Sequence, residues 1–471
     1  MSFDFPKNWK QVVLEDALDA LIDYRGKTPK KVDKGIPLIT AKVVKSGRIL
    51  PMDEFIADED YESWMVRGIP QISDIVVTTE APLGEVAQIK NANVALAQRI
   101  VTLRGKVDFL ENDFLLFLMQ SDFVQNQLEA RATGSTVKGI KQSELRKIIL
   151  PIPPIVEQKC IGKILSDLDD KIHLNNQINQ TLESIAQAIF KSWFIDFDPV
   201  RAKIAAKQEG KDPELAAMCA ISGKSEEELE QMAKEDFAEL QATAALFPDE
   251  LVGSELGEVP RGWEILDIDK TTSLIIDHRG KTPKKLGSDW SDTGITVLSA
   301  KHIKDGYIVN REQLRFVDTE LYNKWMKEEL KEGDILLTSE GPMGEMYYLA
   351  SDEKYCLSQR LYALRANTDL ISSAFLYFWL LSPYAKSDMN GRATGTTVVG
   401  IRQSELRKVK VLTPPKKICD LFNEKVKANL KQIALNNNKS VDLAHIRDIL
   451  LPKLLSGEID VSDFQGEVAG T

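Results

Sequence analysis

The chain has 471 residues, 43% of them hydrophobic and 28% charged, with 60 Lys and Arg against 71 Asp and Glu for a net charge of −11. That length exceeds one ordinary core and predicts two or more domains of a soluble globular protein. No apolar run approaches the ~20 residues that span a bilayer, and the opening "MSFDFPKNWKQ" lacks the basic and apolar regions of a signal peptide, so a cytoplasmic protein without a membrane span is expected. Taken whole, the charge argues against a nucleic-acid partner, yet it is unevenly placed. Residues 201–260 hold six basic and fourteen acidic side chains, a net of −8, which leaves the remainder near neutral with local basic clusters.

In chain order the first motif is "DYRGKTPKK" (23–31), which returns as "DHRGKTPKK" (277–285). Further segments recur in the same order. "ITAKVVKSGRI" answers "LSAKHIKDGYI", "FIADEDYESWM" answers "FVDTELYNKWM", "SDIVVTTEAPLGE" answers "GDILLTSEGPMGE", and "LAQRIVTLR" answers "LSQRLYALR". "RATGSTVKGIKQSELRK" (131–147) and "RATGTTVVGIRQSELRK" (392–408) agree at 14 of 17 positions, and the offset drifts only from 254 to 261. The chain is a tandem duplication.

Each copy reads as mixed α/β. "DIVVTTE" and "DILLTSE" suit strands, while "ENDFLLFLMQSDFVQNQLEAR" and "SSAFLYFWLLSPYAKSDMN" suit helices. Each copy ends in a Pro-rich break, "PIPP" or "TPP", followed by a heptad pattern. The first seam is Ile161, Leu165, Leu168, Ile172, Asn175, Asn179, Leu182, Ala186 and Ile189. The second is Phe422, Val426, Asn429, Ile433, Asn436, Ser440, Leu443, Arg447 and Leu450. Polar residues on a seam cost stability but fix register and partner. A helix of about 50 Å must pack along another, and the two are expected to pair antiparallel. Apolar surface near Phe190, Trp193 and Phe194 is expected to be exposed and to leave the chain dependent on partners. The acidic stretch between the copies reads as a solvated connector, with a capping box at "SEEE" (225–228).

Two α/β copies with long helices make a ruler with two reading heads, which suits a bipartite double-stranded DNA target. The basic motifs supply Arg25, Lys27, Thr28, Lys30 and Lys31, and in the second copy Arg279, Lys281, Thr282, Lys284 and Lys285. The "RATG" turns add Arg131, Thr133, Gly134, Lys138 and Lys141, and then Arg392, Thr394, Gly395 and Arg402. The competing reading for each cluster is a solvated basic turn. The paired aromatics Trp9/Trp263, Tyr61/Tyr322 and Trp64/Trp325 suit a core better than base stacking.

Catalytic machinery is not evident. There is no Asp/Asn-Pro-Pro-Tyr/Phe tetrad and no Gly-rich cofactor loop after a strand. The recurring carboxylates Asp74, Glu80 and Glu85, matched by Asp334, Glu340 and Glu345, could hold Mg²⁺, but strand-end structure is the preferred role. The four cysteines and four histidines show no metal-type spacing and are read as structural. A self-contained DNA methyltransferase or nuclease is the alternative function, and a helical scaffold without nucleic acid is a third.

The repeats, the turn "RATGSTVKGIKQSEL" closing each, "AIFKSWFIDFDPV" (188–200), "SELGEVPRGWE" (254–264) and "LLPKLLSGEI" (450–459) together resemble the specificity subunit of Type I restriction-modification enzymes. The resemblance covers nearly the whole chain. It implies a first target-recognition domain at 1–155, a first spacer helix at 156–200, the acidic connector at 201–260, a second target-recognition domain at 261–415, and a second spacer helix with tail at 416–471. It implies a non-catalytic DNA reader for host defence: each domain binds one half of a split, asymmetric target and the helices set the gap. Two methyltransferase subunits and translocating, DNA-cleaving restriction subunits are the implied partners. S-adenosylmethionine, ATP and Mg²⁺ are expected on those partners and no cofactor on this chain. Base discrimination is expected where the copies diverge, at 43–51 against 302–311, 66–72 against 327–332, and 86–94 against 346–355.

Overall fold

The computed structural model describes residues 5–45, 47–278 and 280–461. The chain divides into two compact units, Met1–Asn176 with Asn438–Thr471 and Gln177–Asn437. Each unit therefore takes one copy of the repeat and half of each long helix.

In the first unit β1 (Lys10–Val13) leads to β2 (Leu18–Asp23), and β3 (Lys31–Val32) follows the basic loop. β4 (Val44–Lys45) and β5 (Arg48–Ile49) form a short hairpin. β6 (Ile75–Thr79), β7 (Leu83–Gln88) and β8 (Ile100–Gly105) join β2 in an antiparallel sheet of order β2-β8-β6-β7, and β9 (Ile149–Ile152) pairs with β1. Side chains alternate across a strand. Ile75, Val77, Val101 and Leu103 thus face a core with α1 (Asn112–Gln120), α2 (Asp122–Arg131) and the start of α3 (Ile155–Phe194), while Val76 and Ile100 face a distal lobe. Both faces are covered, which is why "DIVVTTE" reads as a continuous apolar run. A Cβ on Gly162 would stand 3.0 Å from the Phe114 nitrogen, so this glycine lets α3 close on α1.

In the second unit the acidic stretch follows the second half of α3. It is folded rather than a solvated connector: α4 (Asp198–Glu209), α5 (Pro213–Ser222), α6 (Glu226–Glu230, with the expected capping box) and α7 (Lys234–Ala244) bury Ala217, Met218, Leu229 and Ala244 together. Beyond it, β10 (Glu264–Asp267), β11 (Thr272–Asp277), the hairpin of β12 (Ile303–Lys304) and β13 (Tyr307–Ile308), β14 (Ile335–Thr338), β15 (Met346–Tyr348), β16 (Leu361–Ala366), α8 (Ser373–Leu381), α9 (Pro383–Arg392) and β17 (Lys410–Thr413) repeat the first plan. The central sheet has the order β11-β16-β14-β15.

Each helix expected over 111–131 and 372–390 breaks at a serine. Ser121 and Ser382 are extended and cap α2 and α9, accepting from Val124 N and Ala385 N, and Pro383 occupies the first turn of α9. The expected exposure near Phe190 is also corrected. Phe190, Trp193 and Phe194 are 5%, 2% and 0% exposed, packed with Phe247, Trp263, Phe375 and Phe422 in the core of the second unit. Burying each such ring contributes ~1.5–3 kcal/mol.

The two 40-residue helices, α3 and α10 (Lys416–Leu455), pair antiparallel along the heptad seam, none of whose positions is exposed. In the first unit Asn175 Nδ2 donates to Ser440 Oγ at 3.2 Å and Arg447 pairs with Asp169 at 2.7 Å. In the second, Asn436 Nδ2 donates to Asn179 Oδ1 at 2.9 Å and Asn179 Nδ2 to Asn437 Oδ1 at 2.7 Å. The amides satisfy one another only in this register, since sliding would strand them against Leu and Ile. No helix among the described residues is long and apolar enough to cross a membrane.

Candidate nucleic-acid interface

In the first copy the basic loop, the end of β6 and the "RATG" turn are tied together. Arg25 reaches inward, its Nε on Asp23 at 3.1 Å and its Nη1 donating to the Ile140 carbonyl at 2.9 Å. The turn is closed by reciprocal Thr133 and Gly139 backbone bonds of 2.8 and 2.9 Å, and Ile140 N donates to Thr79 O at 2.9 Å. Gly134 sits at φ +111°, where a Cβ would lie 2.2 Å from the Val137 carbonyl, so only glycine fits. The tip beyond it is exposed, including Val137 and Lys138.

Lys27, Thr28, Lys30 and Lys141 are exposed, and the three lysines have no ion-pair partner among the described residues. Lys31 pairs with Glu54 at 2.7 Å, Lys138 with Glu129 at 3.4 Å and Arg131 with Glu144 at 3.7 Å. The Lys138–Glu129 pair is solvent-facing, and such pairs are worth ~0–1 kcal/mol, so a phosphate can replace that carboxylate at small cost. A hydrogen bond from Lys147 holds the Glu144 carboxyl below its usual range, and Lys408 does the same for Glu405.

The second copy keeps the turn. Thr394 and Gly400 exchange bonds of 2.9 and 3.0 Å, Ile401 N donates to Ser339 O at 2.9 Å, and Gly395 at φ +118° would place a Cβ 2.1 Å from Val398 O. Its basic loop differs. Lys281 and Thr282 are half-buried, Lys281 Nζ donates to the Trp325 carbonyl at 2.9 Å, and only Lys284 and Lys285 stand clear. Arg392 is held by Asp388 at 2.7 Å, whereas Arg402 is exposed. Arg279 lies outside the described residues. A recess of about 380 Å³ opens between Gly280, Thr394 and Arg402, bringing the two motifs to one place.

Two residues outside the basic motifs stand on these faces. Arg99 pairs with Glu80 at 3.0 Å, and Arg360 with Glu340 at 2.8 Å and lines the recess. Their signal was the "QR" shared by "LAQR" and "LSQR". Of the other recurring carboxylates, two anchor the fold: Asp74 holds Arg104 at 2.8 Å and Asp334 holds Arg365 at 2.7 Å, both carboxylates 1% exposed. No His, Cys, Asp and Glu group among the described residues is arranged to hold a metal.

The diverging segments separate in role. Segment 66–72 begins beside the basic loop, where Arg67 Nη1 donates to the Asp23 and Arg25 carbonyls at 2.9 Å, and it leaves Val66, Ile69 and Ile72 exposed. Segments 43–51 and 302–311 carry the small hairpins, which turn to α3. Arg48 donates to the Asp169 carbonyl, and Tyr307 Oη donates to Glu183 at 2.5 Å. Burial pushes the Glu183 carboxyl up. Segments 86–94 and 346–355 bury Val86, Ile89, Met346 and Leu349.

The family described as Type I restriction modification DNA specificity domain matches residues 6–184 and again 260–443. The HindI Type I restriction enzyme specificity subunit of Haemophilus influenzae is 32% identical over 383 residues, 78% of this chain and 82% of the relative. The MjaIX specificity subunit of Methanocaldococcus jannaschii is 24% identical over 97% of this chain and 95% of the relative. The crystal structure of a Type I restriction-modification S subunit from M. genitalium shares the fold at a TM-score of 0.57 and 14% identity, covering 96% of this chain and 98% of that one. With its two matching copies, the chain belongs to the Type I restriction-modification DNA specificity family.

Proposed function

We propose that this chain is the DNA-reading subunit of a Type I restriction-modification complex, each copy binding one half of a split, asymmetric double-stranded target. The observation that carries the reading is the duplicated face: the same backbone bonds tie the "RATG" turn to the end of a central strand in both units, and the basic motif lies against that turn, through the Arg25 side chain in the first copy and across a shared recess in the second. Lys27, Lys30, Lys141, Lys284, Lys285 and Arg402 serve as phosphate contacts that position the duplex without reading it. Discrimination falls to 66–72 and 327–332, which differ most in chemistry, "VRGIPQI" against "KEELKE".

The chain itself is non-catalytic in this reading. Methyltransferase subunits bring S-adenosylmethionine to an adenine in each half-site, and restriction subunits bring ATP and Mg²⁺ for translocation and cleavage. Ile178 and Ile185, 38% and 45% exposed on α3, support a helical docking surface for such partners. The long helices set the gap between half-sites.

Genome-wide mapping of methylated adenines, with and without the chain and with its methyltransferase partner retained, tests the proposal. A split motif with a fixed gap is expected to disappear with the chain. Unchanged methylation would overturn it. Methyl transfer or cleavage by the purified chain with DNA, S-adenosylmethionine and Mg²⁺ would instead favour a self-contained enzyme.

A further inference from the structure

Arg99 and Arg360 occupy left-handed backbone positions on the two faces. Their φ values are +72° and +77°, a region that side chains bearing a Cβ rarely adopt. The strain is held by the neighbouring strand: Thr79 N donates to Arg99 O and Ser339 N to Arg360 O, both at 2.9 Å. Strained residues persist where the surroundings over-determine them, and they cluster at functional sites. Each Nε is engaged by a carboxylate, Glu80 at 3.0 Å or Glu340 at 2.8 Å. The side chains are 54% and 57% exposed.

Around Arg360 the charge is cationic. The recess is lined by Arg360, Arg402, Thr394 and the backbone of Gly280, and a Cβ on Gly280 would stand 3.9 Å from Lys285 Nζ. Glu340, already paired with Arg360, is the opposing carboxylate of the lining.

We propose that Arg360, and Arg99 in the first copy, each clamp one backbone phosphate of the duplex, with Glu340 and Glu80 as positioning residues that aim the guanidinium. This rests on the DNA-reading function above. An Arg fork matches phosphate oxygens with two parallel hydrogen bonds. Because the same pair recurs in both copies, the contact is independent of base sequence.

The test is fluorescence-anisotropy titration of the full chain with a duplex carrying the mapped target and with an unrelated duplex, from 50 to 200 mM salt. Arg360→Ala is expected to weaken both complexes roughly tenfold, the order of one charge-assisted contact. The slope of log K against log salt should become shallower by about 0.9. Arg360→Gly should weaken binding equally while raising Tm, since glycine relieves the left-handed strain. Unchanged affinity and slope in Arg360→Ala would overturn the proposal. So would a loss confined to the target duplex at unchanged slope, which marks a base reader, or a fall in Tm for Arg360→Gly, which marks a structural arginine. A wild-type chain without affinity for either duplex overturns the DNA-reading function itself, an outcome distinct from a binding chain indifferent to Arg360→Ala.

Discussion

The motif at 23–31 and its repeat at 277–285 differ in one residue yet fold differently. In the first copy Tyr24 stacks on Trp64 with ring centroids 5.5 Å apart, its hydroxyl donates to Gly68 O at 2.9 Å, and it accepts from Arg67 N. In the second, His278 is 5% exposed, and neither ring nitrogen has a hydrogen-bond partner among the described residues. Lys27 stands in solvent while its counterpart Lys281 bonds the Trp325 carbonyl. Lys31 enters β3 opposite Ile56, but Lys284 and Lys285 begin a 3₁₀ turn that Gly287 ends at φ +75°. The residues that follow decide this. "VDKGIP" returns at once to the sheet, whereas "LGSDWSDTGIT" inserts a longer excursion. Near-identity of two motifs thus reports a shared framework, and contacts made by the individual lysines are set by neighbours outside it.

The largest effect that would sharpen the contrast is in acid. Burial, reinforced by Lys281, lowers the His278 pKa to about 4. The imidazole is neutral in the folded chain but protonates in the unfolded chain below about pH 6.5, so the unfolded state binds more protons. Stability of the second unit should therefore be fully present above pH 6.5 and fall as pH drops toward 4, by about 3 kcal/mol at 1.36 kcal/mol per pKa unit. His278→Tyr, which restores the residue of the first copy, should abolish that slope in chemical denaturation at pH 4.5 and 7. An unchanged slope would mean that His278 is not its source.

The shared framework should respond alike in both copies. Gly134→Ala and Gly395→Ala each force a Cβ into a carbonyl at about 2 Å, and each should cost roughly 1–3 kcal/mol and weaken DNA binding. A large loss in one copy alone would break the equivalence of the turns. The smallest effect separates the lysines. Lys27→Ala should make the salt dependence of DNA binding shallower by about 0.9 without changing Tm. Lys281→Ala should lower Tm by a few degrees, because a half-buried bond to Trp325 is lost. Identical behaviour of the two variants would remove the asymmetry.

Much of the architecture was legible because it repeats or is periodic. The duplication, the strands "DIVVTTE" and "DILLTSE", and the seams through Asn179 and Asn436 all follow local pattern. The helix breaks were marked only by the cap residue Ser121 in the first copy and by Ser382 with Pro383 in the second. The folding of the acidic stretch was obscured by its charge, since its small core rests on a handful of residues such as Met218 and Leu229. Phe190 and Trp193 looked exposed because the residues that cover them, Phe247, Trp263 and Phe422, are far away in sequence. Arg99 and Arg360 were marked only by the repeated "QR", which says nothing of their geometry. Their backbone conformation is imposed by a hydrogen bond from a neighbouring strand, which no local pattern encodes.

The first unit is closed by residues 450–461. Leu454, Leu455 and Val461 share a buried core with Trp9, Leu14 and Leu165, and a Cβ on Gly457 would lie 2.3 Å from Pro6. During synthesis the amino-terminal copy therefore cannot complete its core until residue 438 and those beyond it have left the ribosome, while the second unit is one contiguous stretch. The usual order, in which the N-terminal domain matures first, is reversed. A nascent or prematurely terminated chain would present a finished second head and an unfinished first one.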